Sequence, residues 1–230
     1  MTTQTRNRTL QFLTWAAAAI GAVGCGGGLK YKLDDAALDN VPGGERQAVF
    51  QAQSELEMSR SEIRTAQSQL DGLERDVDVA KAEKQQAELE VEKAGTEEES
   101  AVASHDENRH NAAKHGKEIA RHGVEVAEAK LTWLDQKKDW LKQARVAAEA
   151  HQEASQAKVE FEKAKVAKAK GIKPSDDFNP SDFESQWKNK NDDWQSAKKD
   201  AESAEKKTKE REQKWKDAIT DHEKLKGGGK

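Results

Sequence analysis

The sequence holds a single cysteine, three prolines and one tyrosine in 230 residues, and aromatic side chains make up only 5% of it. One cysteine cannot close an internal disulfide, and there is no cysteine pair at zinc-binding spacing. Hydrophobic residues reach 34% against 36% charged, with mean hydropathy −1.04. A compact globule of this length is normally about half apolar, so one deep core is not expected. Charge of a single sign is missing too. Lys and Arg number 39 against 43 Asp and Glu, for a net −4, with the two signs interspersed. Phosphate recognition needs a concentrated basic face, which excludes nucleic acid as an expected partner. A long hydrophobic run is also lacking. The stretch "LQFLTWAAAAIGAV" is interrupted by Gln11 and Thr14, and it falls short of the roughly 20 apolar residues that span a bilayer.

What that short run does have is a setting. Arg6 and Arg8 precede it without any acid, and small residues end it. A positive start, a short apolar centre and a small-residue end form the pattern of a secretory signal peptide, expected over residues 1–24. The run closes in Ala22-Val23-Gly24-Cys25, which resembles the lipobox of bacterial lipoproteins. The resemblance implies cleavage between Gly24 and Cys25, a diacylglycerol on the Cys25 thiol and acylation of the new amine. Ala22 departs from the pattern, where Leu is most usual. Two or three chains would anchor firmly, since each buried methylene contributes about 0.8 kcal/mol and one chain holds only marginally. Asp after the cysteine often retains such proteins at the inner membrane. This sequence has Gly26 there, which implies the outer membrane, with the body facing the periplasm.

Residues 25–44 read as the lipidated N-terminus and a flexible tether closed by Pro42, Gly43 and Gly44. Beyond them the apolar positions follow 3-4 spacing: Val49, Ala52, Leu56, Ser59, Ile63, Ala66 and onward to Ala94, interrupted only by Ser59 and Lys84. The positions between are Glu, Gln, Arg, Lys and Ser. That is a coiled-coil seam. The phase resumes from Ala112 through Trp133, Trp140 and Phe161 to Ala164, and again from Phe183 through Trp187, Trp194 and Trp215 to Leu225. The expected fold is all-α: long antiparallel helical hairpins forming a three-helix coiled coil over 45–226. The helices are placed at about 45–103, 112–170 and 181–226, with 227–230 as a Gly-rich tail. Lysines before Gly171, then Pro174, suit the end of the second helix. Ser181 with Glu184 suits a capping box at the third. The first turn is placed at 104–111, where His105 and Asn108 fail the seam. A turn at Gly95–Thr96 and one unbroken helix are the alternatives. Antiparallel pairing then brings Trp187 level with Phe161 and Phe50, and Trp215 level with Trp133 and Trp140. The second helix carries an extra apolar stripe opposite its seam, at Val124, Ala127, Leu131, Leu134, Leu141 and Ala148. A helix apolar on two faces is covered on both, by the first and third helices or by another protein.

Chemistry is hard to find. Of His105, His110, His115, His122, His151 and His222, no two stand at i,i+3 or i,i+4, the spacings that share a helical face. His115 and His122 share a face but lie about 10 Å apart along the axis, too far for one ion. They read as polar breaks in the seam, and no metal or other cofactor is expected. The carboxylates lie on charged faces with lysine partners, and a coiled coil lacks the water-excluding pocket that acid–base catalysis needs. No nucleophile elbow, phosphate loop or zinc motif occurs. Neither an enzyme nor a small-molecule substrate is expected. The tail "GGGK" is similar, together with Cys25 and the alanine seam, to the murein lipoprotein of enteric outer membranes. Its C-terminal Lys joins peptidoglycan, and Lys230 stands at the matching end. Chain length, hairpin architecture and the Gly spacer depart from that family, and the residues flanking its terminal Lys are absent.

Together these features describe a lipid-anchored envelope protein whose coiled coil is a spacer or docking scaffold. Its partners are the membrane, through Cys25, and a protein or second copy met by the coiled-coil faces. A covalent tether through Lys230 is one alternative. Another is a helical-hairpin subunit of an envelope transport assembly, docking through a tip near Asp106–Arg109.

Overall fold

A computed structural model describes residues 28–227. Gly24, Cys25, Lys230 and the signal-peptide segment lie outside the described residues. Residues 31–227 form one unit. Two 3-10 turns, Asp35–Leu38 and Gly43–Arg46, lead into three helices: α1 Gln47–Ala103, α2 Glu107–Ala169 and α3 Pro180–Gly227. Among the described residues there is no strand.

The local sequence sets each boundary. At the end of α1 the Ser104 hydroxyl donates to the Ala101 carbonyl at 2.7 Å. His105 then takes a left-handed φ of 55°, and the Asp106 side chain caps α2 by accepting from the Arg109 N–H at 3.1 Å. The turn is thus confined to Ser104–Asp106. Residues 107–111, expected as part of it, are already helical because the Asp106 side chain satisfies one of their free N–H groups, that of Arg109. Helix α1 runs straight through Gly95 and Thr96. One interior glycine costs about 1 kcal/mol, a small loss in a helix docked along its length. Helix α2 ends with Gly171 at φ 67°. There the Ile172 N–H reaches back to the Ala167 carbonyl at 2.9 Å, and the Ile172 side chain packs into the adjoining core, a Schellman-type close. The cap of α3 is Asn179, accepting from the Ser181 N–H at 3.2 Å. Pro180 takes the first helical position, whose N–H would be free anyway. The capping box expected at Ser181–Glu184 is therefore replaced, and Glu184 pairs with Lys188 instead.

Helix α2 is central. It packs on α1 along one side and α3 along the other, while α1 and α3 are not in contact. The α1–α2 seam is built from buried residues at every seventh position, mostly small: Ala52, Ser59, Ala66, Leu73 and Ala80 on α1, with Ala127, Leu134, Leu141, Ala148 and Ser155 on α2. Leu73, Ala80, Leu134 and Leu141 form its one thick level. The extra stripe of α2 is thus the α1-facing one. A ladder of three ion pairs and one hydrogen bond follows the antiparallel register beside it: Glu55–Lys158 at 2.7 Å, Glu74–Lys138 at 3.5 Å and Glu98–Lys117 at 2.7 Å, with Glu62 bonded to His151 at 2.8 Å. The α2–α3 seam is aromatic. Trp133 stacks on Trp215 at 4.8 Å, His151 on Trp194 at 4.2 Å and Phe161 on Trp187 at 5.3 Å, each within 11° of parallel. Two of the expected levels are therefore present. Phe50 does not join its level: it is 48% exposed, with Arg46 over its face. Trp140 packs on the leucine level rather than on Trp215.

The expected flexible tether is corrected over its described part. Leu33, Leu38 and Val41 are buried against Ala164, Ala167 and Phe183 where α2 ends and α3 begins. Three apolar side chains in one short segment gain on the order of 1.5–3 kcal/mol each by leaving water, which favours docking over a solvated coil.

Candidate functional site

Two regions gather side chains in ways that could serve a function. The first is the corner between α2 and α3. Here the main chain of residues 31–35 is held by side chains of both helices. The Gln186 amide is bidentate on Tyr31, accepting from its N–H at 2.9 Å and donating to its carbonyl at 2.9 Å. The Leu33 N–H donates to Glu160 Oε2 at 2.7 Å. Lys163 Nζ donates to the Leu33 carbonyl at 3.4 Å, to Glu160 Oε1 at 3.1 Å and to Asp35 Oδ1 at 2.6 Å. The side chains of Lys163 and Glu160 are 8% and 11% exposed. Burial by itself would lower the pKa of the Lys163 ammonium. The hydrogen bonds and charges of Asp35 and Glu160 outweigh it and hold the pKa above the ordinary lysine value. Farther along, Lys170 pairs with Glu45, tying the second 3-10 turn to the end of α2.

The second region is a trough left open because α1 and α3 do not meet. One recess of about 670 Å³ takes Met58 and Ala66 from α1, Trp140 and Ala148 from α2, and Trp194 and Ala201 from α3. His151 stands in it, stacked on Trp194 and bonded to Glu62. Toward the α1–α2 turn a recess of about 430 Å³ is lined by Glu90 and Glu97, Gly116 and Ile119, and His222 and Lys226. His222 lies 3.8 Å from where a Cβ on Gly123 would stand. Burial, then Lys226 and His122, lowers its pKa below the ordinary imidazole value.

No family model matches this chain, and neither a curated protein nor a solved structure matches it. The functional reading therefore rests on the residues themselves. His115 and His122 pair with Glu118 and Glu125 one turn on, at 3.9 and 3.1 Å, and His151 serves the two seams. Among the described residues no group of three His, Cys, Asp or Glu is placed to hold a metal ion. No helix there is long and apolar enough to cross a membrane. The tryptophans at heptad spacing are half-buried members of the α2–α3 seam and the trough wall.

The corner was missed by sequence reasoning. Its one signal was Glu160 and Lys163 standing among Ala154, Ala157, Ala164 and Ala167, on a stretch buried nearly all round. Charges enclosed in that way need partners, and the nearest unassigned segment was the supposed tether.

Proposed function

We propose that the chain is a lipid-anchored lipoprotein of the bacterial cell envelope, non-enzymatic, whose helical body acts as a spacer or docking scaffold on the periplasmic side, at the outer membrane. One observation carries this reading: Ala22-Val23-Gly24-Cys25, set between a positively charged, short apolar leader and a glycine triplet. The body is suited to the role. Helix α1, at 57 residues, extends about 85 Å at 1.5 Å per residue. Helix α2, antiparallel to both neighbours and locked to α1 by ion pairs and to α3 by ring stacks, stiffens that length. The reading assigns no reaction to either region. Lipid on Cys25 would hold the membrane, and the bundle would present its charged faces and open trough to the periplasm.

The test is the intact mass of the native protein, beside fractionation of a Cys25→Ala variant. A mass starting at Cys25 with acyl groups added, and loss of the variant from membranes, is the expected result. An unmodified chain starting at Met1 in the soluble fraction refutes the anchor.

A further inference from the structure

We propose that residues 31–41 form a strap, which carries tension from the N-terminal side into α2 and α3 and sets how far the bundle stands from its anchor. The geometry is that of a built main-chain site. Residues 31 and 33 each have their N–H and their carbonyl engaged by side chains: Tyr31 by Gln186 of α3, Leu33 by Glu160 and Lys163 of α2. Alternate residues point the same way along an extended segment, and taking both groups of alternate residues is how a sheet edge holds an added strand. Here a Gln amide and a buried Glu–Lys pair do the same work without a strand. Leu33, Leu38 and Val41 fill the apolar floor beneath. A passive linker needs none of these contacts. Tension entering at residue 30 meets Gln186 first, then the Glu160–Lys163 pair. It reaches α1, the next helix in sequence, only after Pro42, Gly43 and Gly44.

The stand-off rests on the reading of Cys25 as the lipid carrier. With the strap docked, only residues 26–30 separate the anchor from the bundle, at most about 18 Å when extended. An undocked tether through residue 44 would reach about 65 Å. The strap sits at the α2–α3 corner, so that corner is held close to the membrane. The turn at Ser104–Asp106, at the opposite end of α1 and α2, then projects farthest from it.

Cys25 is the only cysteine and would be occupied by lipid, so one introduced cysteine supplies the sole free thiol. The full lipidated protein in native-membrane vesicles is labelled through Ser175→Cys at the corner or Asn108→Cys near the turn, and energy transfer to a headgroup-labelled lipid is read. Strong transfer from position 175 and background transfer from position 108 are expected. Adding Glu160→Gln with Gln186→Ala should accelerate exchange of the Tyr31 and Leu33 amides at least tenfold and lower transfer from position 175, with helical circular dichroism unchanged. Equal transfer from both positions overturns the proposal. So does unchanged transfer from position 175 after the strap amides have lost protection. If the labelled protein is soluble and Cys25→Ala changes nothing, the anchor and the stand-off fall together. Amide protection at Tyr31 and Leu33 in that soluble chain then decides the strap by itself.

Discussion

Replacing Lys163 by Met should loosen the strap by about 3 kcal/mol. The side chain is 8% exposed and serves three acceptors: Glu160, Asp35 and the Leu33 carbonyl. Their shares differ. Asp35 is 79% exposed, and an ion pair with one arm in water contributes roughly 0–1 kcal/mol. Glu160 is 11% exposed. Without the ammonium it keeps only the Leu33 N–H, and removing one partner of a buried pair costs about 3–5 kcal/mol. Met retains most of the apolar stem of Lys, so little packing is lost, which places the estimate at the lower end of that range. The quantity to measure is the opening free energy of the Leu33 amide by native-state hydrogen exchange, with urea melts alongside. A loss of about 3 kcal/mol is an increase of more than a hundredfold in exchange rate. Lys163→Met with Glu160→Gln removes the orphaned charge while leaving an amide oxygen to accept from the Leu33 N–H, and should recover part of the loss, because a neutral acceptor is far cheaper to bury unpaired than a carboxylate. The pH dependence has a definite sign. A lysine whose folded pKa is raised contributes its stability in full below its ordinary value of 10.5, and loses it as pH rises through the folded value. Strap opening in the native chain should therefore increase above about pH 10.5, and that increase should be absent in Lys163→Met. A cost below about 1 kcal/mol, or a double variant no better than the single one, would refute the argument that the pair is desolvated.

Other outcomes follow from the same contacts. Trp215→Ala removes the stack on Trp133. Full truncation of a buried aromatic costs about 3–5 kcal/mol, so this half-buried one should cost about 2 kcal/mol, seen as faster exchange in α3 beyond Ala204 while α1 amides are unchanged. His222 has a lowered pKa from burial, Lys226 and His122, so the unfolded chain takes up its proton first as pH falls. The last turns of α3 should loosen below about pH 6.5, and His222→Gln should flatten that dependence in a pH series of exchange measurements. Gly171 sits at φ 67°, and Gly171→Ala should lower the urea midpoint by the equivalent of about 1 kcal/mol.

Much of this architecture was legible because period is a direct signature of which face is covered. The seam from Val49 to Ala94 marked α1, and aromatics at Phe161, Trp187, Trp133 and Trp215 marked levels of the α2–α3 seam. The second stripe of α2 marked a helix covered on two faces, by the other two helices or by another protein, and α1 and α3 are what cover it. Period does not say whether those two helices also meet each other, and the open trough could not be read from it. The strap was invisible for a related reason. Tyr31, Leu33, Leu38 and Val41 follow neither a helical nor a strand period, and Pro42 with two glycines beside them resembles a linker. Lys163 was read with its neighbouring lysines as complementing the end of α2. Only the fold shows that it points inward while Lys165 and Lys168 do not. Cys25 and Lys230 are legible solely as motif and position, and their test is chemical.

The ladder between α1 and α2 resists a slip of one heptad in one direction and tolerates it in the other. Shifted by that amount, Glu62 would face Lys158 and Glu90 would face Lys130, so the attraction would survive almost unchanged. What distinguishes the true alignment from that one is bulk. In the observed register Ser59 comes level with Ser155, Ala66 with Ala148 and Leu73 with Leu141, while Ala80 makes room for Leu134. A slipped pair would set Leu73 against Ala148 and leave a gap at one level and crowding at the next. Shifted the other way, Leu73 would meet Leu134 and the volumes would still match, but Glu62 would face Ala144 and Glu74 would face Leu131; bulk closes one direction of slip and charge the other, along a rod about 85 Å long.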